Sequence, residues 1–134
     1  MKNLTILYAD DDADDCALLY EALAQIDPSI KCLIANDGKE ALKLLKSTSE
    51  LPSSIFLDIN MPVMDGKKCL QQLKSDQKLK DIPVVIWSTT NNEKEVSLLY
   101  LMGAAEFRSK PNTFNELCDS LASVIFKLKA GAFA

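Results

Sequence analysis

Four short runs in this chain, three apolar and one (residues 105–109) of mixed character, each stop at residues that carry a charge or a hydroxyl. Residues 4–9 end in Asp10, Asp11 and Asp12, and residues 55–57 end in Asp58. Residues 83–87 end in Ser88, Thr89 and Thr90, and residues 105–109 end in Lys110 and Pro111. Runs of this length read as buried strands. Pro62, four positions after Asp58, has no amide donor and forbids continuation of the second run as a strand. In an open α/β sheet, ligands bind outside the carboxyl ends of the strands. In a parallel sheet those ends share one edge, so carboxylates, a hydroxyl and an ammonium from distant parts of the chain converge there. Such an acidic mouth suits a cation better than an anion. Each residue also has a local alternative: Asp58 as a turn or capping aspartate, Asp10 and Asp11 as helix N-caps, Ser88 as a cap before Asn91 and Asn92, and Lys110 as a surface lysine.

The elements between these ends read as helices. Leu18, Leu19, Ala22, Leu23 and Ile26 recur at helical spacing. Asp12, Asp14 and Asp15 in the first turn suit the helix dipole, and Asp27-Pro28 ends the pattern. Residues 31–35 read as a further short strand. Asp37/Glu40, Asn92/Glu95 and Thr113/Glu116 have capping-box spacing. The three helices they start should bury Ala41, Leu44 and Leu45; Val96, Leu99 and Tyr100; and Phe114, Leu117, Leu121, Ile125 and Leu128. Gly66 opens another helix with Cys69, Leu70 and Leu73 inward, followed by a polar connection over residues 75–81. Gly103 and Gly131 read as helix stops, and the last three residues as frayed. Five strand–helix units predict an α/β fold, a parallel sheet covered on both faces.

The 134 residues, 48% hydrophobic and 25% charged, predict a single globular domain over 1–134, with its core over about residues 4–129 and no output domain. No apolar run approaches the roughly 18 residues that span a bilayer, and the N-terminus lacks a signal-peptide core. A cytoplasmic protein without membrane contact is expected. The net charge is −4 and Arg108 is the only arginine, so the basic stripe of a nucleic-acid binder is missing. Without histidine, and with Cys16, Cys32, Cys69 and Cys118 scattered, a Cys/His zinc site is excluded. The cysteines are expected as reduced, partly buried thiols.

Asp10-Asp11, the block from Asp58 through Asn60, Met61 and Pro62 to Gly66, Ser88, and Phe107 with Lys110-Pro111 resemble, in order and spacing, the motifs of response-regulator receiver domains. The resemblance covers about residues 4–126. Receivers are the phosphoacceptors of two-component signalling. Residues 74–83 further resemble small stand-alone regulators found beside phytochrome-type kinases. The resemblance implies a flavodoxin-like receiver fold with a five-stranded parallel sheet in the order 2-1-3-4-5. It implies Asp58 as phosphoacceptor and magnesium as cofactor, held by Asp11 and Asp58, by Asp10 mainly through a water, and by the Asn60 backbone carbonyl. Phosphoryl transfer to a carboxylate needs positioning and charge neutralisation more than covalent help, and magnesium prefers oxygen ligands.

By the same resemblance, Lys110 pairs with Asp58 in the empty state and with a phosphoryl oxygen afterwards, a cis Lys110–Pro111 bond fixing it inward. Ser88 donates its hydroxyl to the phosphoryl group. Phe107 takes the switch-aromatic position, where lacking a hydroxyl it acts by packing alone, or else is an ordinary core aromatic. Asn60 and Thr90 tune phosphoryl lifetime, towards slow-to-moderate self-dephosphorylation. Asp12, Asp14 and Asp15 remain a solvated face. The implied partners are a histidine kinase or phosphotransfer protein, and a downstream protein target or a second copy in a homodimer. These would read a face carrying Tyr100, Arg108 and Phe114; no nucleic acid and no membrane is implied, and no enzymatic activity beyond its own phosphorylation and dephosphorylation. Asp10, Asp11 and Asp58 with only Lys110 to offset them should repel, so replacing any one by alanine should stabilise the metal-free protein. A receiver-fold module that never accepts phosphate is disfavoured by the complete residue set. An aspartyl-nucleophile phosphatase would need an acid where Asn60 stands, and a flavodoxin would not carry so acidic a mouth.

Overall fold

The chain forms five strands, β1 (Thr5–Ala9), β2 (Lys31–Ala35), β3 (Ser54–Leu57), β4 (Val84–Ser88) and β5 (Glu106–Ser109), in a computed structural model that describes residues 3–89 and 92–133. Helices α1 (Ala13–Ile26), α2 (Gly38–Ser47), α3 (Gly66–Ser75), α4 (Glu93–Leu101) and α5 (Phe114–Lys129) alternate with them. Every ladder is parallel and the order is β2-β1-β3-β4-β5, as the receiver resemblance implies.

Strand alternation divides the core in two. Leu7, Ile55, Leu57, Val84 and Ile86 meet residues of α2, α3 and α4, among them Ala41, Leu42, Leu70, Leu73 and Leu99. Ile6, Tyr8, Phe56, Val85 and Trp87 meet Leu19 and Leu23 of α1 and Leu117, Leu121 and Ile125 of α5. Because both faces are covered, the central strands are apolar at nearly every position rather than alternating. Phe56 and Trp87 stack with centroids 5.8 Å apart on the α1/α5 side, which leaves Ser88 on the opposite parity.

Capping settles several local alternatives. Asp12 caps α1, accepting from the amides of Asp14 and Asp15 at 2.9 and 3.1 Å, so Asp10 and Asp11 are not its caps. Asp65 caps α3 and Asn92 caps α4, which removes that role from Asp58 and Ser88. Asp37 and Thr113 cap α2 and α5 as their spacing predicts.

Three inward assignments shift. Leu18 is 42% exposed while Cys16 is buried, because Cys16, Leu19 and Leu23 form the stripe that faces the sheet. Leu42, with Leu45, is buried in α2 in place of Leu44, which is only partly buried. Tyr100 is exposed and Val96 only half-buried, leaving Leu99 as the buried residue of α4. The connection over residues 75–81 is polar except for buried Leu79, which with Ile82 joins the core. It is tied down by the Lys74 ammonium, which donates to the carbonyls of Lys80 and Ile82 at 2.9 and 3.1 Å. Phe133 packs against the α1/α5 cluster rather than fraying. Among the described residues, no helix is long and apolar enough to cross a membrane.

The loop from β3 to α3 is bent tightly. Val63, 78% exposed, has φ 65°, and the Met64 amide donates to the Pro62 carbonyl at 2.7 Å, a strained three-residue turn. Gly66 then folds back, its amide donating to the Ile59 carbonyl at 2.8 Å. A Cβ there would lie 2.3 Å from the Asp58 carbonyl oxygen and 2.7 Å from the Ile59 Cα. Both obstacles are backbone, so neither can rotate aside. Gly66→Ala should therefore cost about 2–3 kcal/mol of stability, read by urea unfolding, and should displace the backbone on which Asp58 sits. A variant as stable as the wild type would refute this close approach.

Candidate functional site

The site is held by the last rungs of the parallel ladder. The Asp10 amide donates to the Ala35 carbonyl at 3.0 Å, the Asp58 amide to Ala9 at 3.0 Å, and the Lys110 amide to Ser88 at 2.8 Å. Each functional residue therefore stands one step beyond its own strand, pinned to the strand beside it. Asp10 and Asp58 are buried and Asp11 is exposed. One carboxylate oxygen from each of these three lies within 4.8 Å of the others. Three hard oxygen donors at this spacing suit an oxygen-loving divalent cation.

Lys110 provides the only ammonium contact to this group among the described residues, and its placement differs from expectation. Its Nζ lies 2.7 Å from Asp10 Oδ2 and 2.8 Å from Asp15 Oδ2, but 3.6 Å from Asp58 Oδ2. The expected Lys110–Asp58 pairing is thus the longest of three contacts. Asp15, expected in solvent, is a partner because the first turn of α1 passes over the end of β5's connection. The expected cis bond is absent: no described peptide bond is cis, Lys110–Pro111 included. The lysine is held inward by its ion pairs instead. Burial opposes its charge, yet the bonds to Asp10 and Asp15 and the field of Asp58 more than compensate and raise its pKa.

Tyr8 is a member of the site that no sequence motif flags. Its buried hydroxyl donates to Asp10 Oδ2, the oxygen that Lys110 also contacts. Residues two apart on a strand share a face, and a buried tyrosine hydroxyl needs a partner, so the Tyr8/Asp10 spacing is the available signal. Burial, then the bond to Asp10, pushes the phenol well above its ordinary range. The Asp12 amide takes Asp10 Oδ1 at 3.0 Å. Both Asp10 oxygens are thereby engaged by protein donors, which fits a role through water rather than direct ligation.

Asp58 is the perturbed acid. Burial raises its pKa from 3.8 to about 6; Lys110 opposes the rise, Asp10 adds to it, and the amides of Ile59 and Asn60 oppose it. Ser88 is fully buried at the end of β4. Phe107 is half-buried against the α2/α3/α4 side of the core, and its amide donates to the Tyr100 hydroxyl at 2.9 Å. Asn60 is exposed in the β3–α3 loop. Thr90 lies outside the described residues. The four cysteines are free, and burial raises Cys16 and Cys32 to about 11 and Cys69 to about 12, which keeps them as thiols.

The family model for the response regulator receiver domain matches residues 6–122. The chain belongs to the response-regulator receiver family. Response regulator Rcp1 of Synechocystis sp. is 31% identical over 117 residues, covering 84% of this chain and 80% of that protein. The phosphorylated cyanobacterial phytochrome response regulator RcpA superposes with a TM-score of 0.89 at 28% identity, over 97% of this chain and 96% of that one. The Mn(2+)-bound form of Rcp1 superposes with a TM-score of 0.81 at 28% identity, over 90% and 91%. This receiver domain is accordingly a phosphoacceptor module of two-component signalling, and its acidic cluster fits the divalent metal that receivers bind.

The network reverses one expectation about stability. Asp10 is satisfied by three donors, so it supports the metal-free fold, whereas Asp58 is the carboxylate that burial disfavours. Because the folded pKa of Asp58 is raised, its stability contribution is complete below about pH 4 and is lost as pH rises through about 6. In chelator at pH 7.5, Asp58→Asn should stabilise the protein by about 1–2 kcal/mol and flatten that pH dependence. Asp10→Asn should destabilise it by about 2–4 kcal/mol, since it removes the buried carboxylate that both the Lys110 ammonium and the Tyr8 hydroxyl use. Lys110 then keeps only its partly exposed partner Asp15 and the longer contact to Asp58. Urea unfolding of both variants checks the two signs, and equal signs would contradict the network.

Proposed function

We propose that this receiver takes a phosphoryl group from a histidine kinase or phosphotransfer protein onto Asp58, with magnesium as the metal. The observation that carries the reading is the buried Asp58 carboxylate at the end of β3, grouped with Asp10 and Asp11 and 3.6 Å from the Lys110 ammonium. An Asp58 oxygen attacks phosphorus, and the bond to the donor's leaving group breaks with its electron pair. Burial that disfavours the ionised carboxylate also strips it of hydration and leaves its oxygen available for attack. Asp11 and Asp58, with the Asn60 carbonyl, would hold magnesium, and Asp10 would act through a bound water. When bound, the metal neutralises charge on the transferring group. Lys110 supplies a compact positive charge to a phosphoryl oxygen, and Ser88 a hydroxyl donor.

Phosphorylation would draw Ser88 towards the phosphoryl group and let Phe107 fill the vacated space by packing alone. The altered face, α4, β5 and α5 with Tyr100, Arg108 and Phe114, would then be read by a downstream protein or a second copy. Asn60 and Thr90 would set phosphoryl lifetime. The chain would turn over only its own acyl phosphate and act in the cytoplasm. A phytochrome-type kinase is the donor class favoured by the connection over residues 74–83 and by the relatives named for phytochrome regulators.

Incubation with acetyl phosphate and magnesium should add one phosphoryl mass, removed by hydroxylamine and prevented by chelator. Asp58→Asn should reduce the labelled fraction at least tenfold. Labelling of Asp58→Asn at the wild-type level would overturn the assignment.

A further inference from the structure

Asp15 lies in this pocket with no part in the reaction just described. It stands in the first turn of α1, where a carboxylate already favours the helix dipole, and its side chain is 36% exposed. Its Oδ2 is nevertheless turned onto Lys110 Nζ at 2.8 Å, linking residues 95 positions apart. A lysine ammonium has three donors. Two are committed here, to Asp10 and Asp15, and both contacts are shorter than the 3.6 Å to Asp58.

The two partners of Lys110 are not equivalent. Asp10 is locked: Tyr8 and Lys110 share its Oδ2, and the Asp12 amide takes its Oδ1. It cannot turn without orphaning a buried phenol. Asp15, partly exposed on a helical turn, is the partner that can let go into water. Asp14, one position earlier, is exposed and serves as an internal comparison with nearly the same relation to the helix dipole.

We propose that Asp15 is a positioning residue for phosphoryl acceptance: it holds the Lys110 ammonium against α1 in the unphosphorylated protein and weakens the pocket's hold on an added phosphoryl charge. The inference rests on the reading of Asp58 as acceptor. Asp10, Asp11, Asp15 and Asp58 set four carboxylates against one ammonium. An ammonium already shared between two of them gives less of its field to a third anion. Because Asp15 is partly exposed, solvent screens its contribution, so the effect on binding should be several-fold rather than hundreds-fold.

The test uses beryllofluoride, a non-covalent stand-in for the phosphoryl group, titrated with magnesium and followed by fluorine NMR. Asp15→Asn should bind it about three- to tenfold more tightly than wild type. Asp15→Glu, which restores charge and reach, and Asp14→Asn should both match wild type. Equal or weaker binding by Asp15→Asn would overturn the proposal, as would tightening by Asp14→Asn to the same extent. A second readout needs neither magnesium nor beryllofluoride: nitrogen-15 NMR of the Lys110 ammonium. Its protons should exchange with water several-fold faster in Asp15→Asn, and unchanged exchange would show that Asp15 does not hold the lysine. Should the wild type bind no beryllofluoride, the acceptor role of Asp58 fails, and the ammonium exchange still decides whether Asp15 holds Lys110.

Discussion

The 2.7 Å ion pair between Lys110 and Asp10 is the contact on which the rest of this receiver depends. It joins the connection after β5, at one edge of the sheet, to the end of β1 near its middle, across the mouth where Asp58 stands. Neither charge could be buried alone; an isolated ion in the interior costs several kcal/mol. The pair survives burial because both groups gain further partners. Tyr8 and the Asp12 amide donate to Asp10, and Asp15 accepts a second hydrogen bond from Lys110. Removing Asp10 would strip both the buried Tyr8 hydroxyl and Lys110 of a partner, whereas Asp15, partly exposed, is the member that water can replace.

That arrangement separates two carboxylates that composition alone makes look alike. Asp10 is an anion the fold has prepared for, and Asp58 is one it tolerates. The same burial that raises Asp58 to about pH 6 places a reactive oxygen at a sheet edge with little competing hydration. Folding stability is thereby traded against a site able to receive cationic and electrophilic groups, a common arrangement where function needs an unsatisfied charge. The strained turn at Val63 and the close approach of Gly66 to the Asp58 carbonyl belong to the same loop. They bring the backbone of the β3–α3 loop tightly against that of Asp58 and Ile59.

Much of this was legible in the sequence, because parallel strands that are buried on both faces write themselves as apolar runs that stop abruptly. Asp10, Asp11, Asp58 and Ser88 could be placed at strand ends from that pattern, Lys110 followed the mixed run over residues 105–109, and strand order followed from the receiver resemblance. What escaped depends on distances that periodicity does not encode. Asp15 reads as one more acid in a helix's first turn until the connection after β5 is laid beside it. Tyr8 reads as core until its hydroxyl needs a partner two residues on. Leu42 and Leu44 differ by a rotation of the α2 helix that its packing against α3 and the sheet decides, and the reason for Gly66 lies in a backbone contact with Asp58. The pairing preference of Lys110 could not be ranked from spacing, since three acids compete for it within one ångström.

The central claim, that Asp58 is the residue at which charge, burial and the acidic cluster converge into a phosphoacceptor, is tested most directly by chemical trapping. Borohydride reduces an aspartyl phosphate to homoserine, marking the acceptor irreversibly. Treating the protein with acetyl phosphate and magnesium, then borohydride, and sequencing its peptides by mass spectrometry should find homoserine at position 58 and at no other aspartate. Homoserine at Asp10, Asp11 or Asp15, or unmodified Asp58 in protein that has taken up phosphate, would contradict the account.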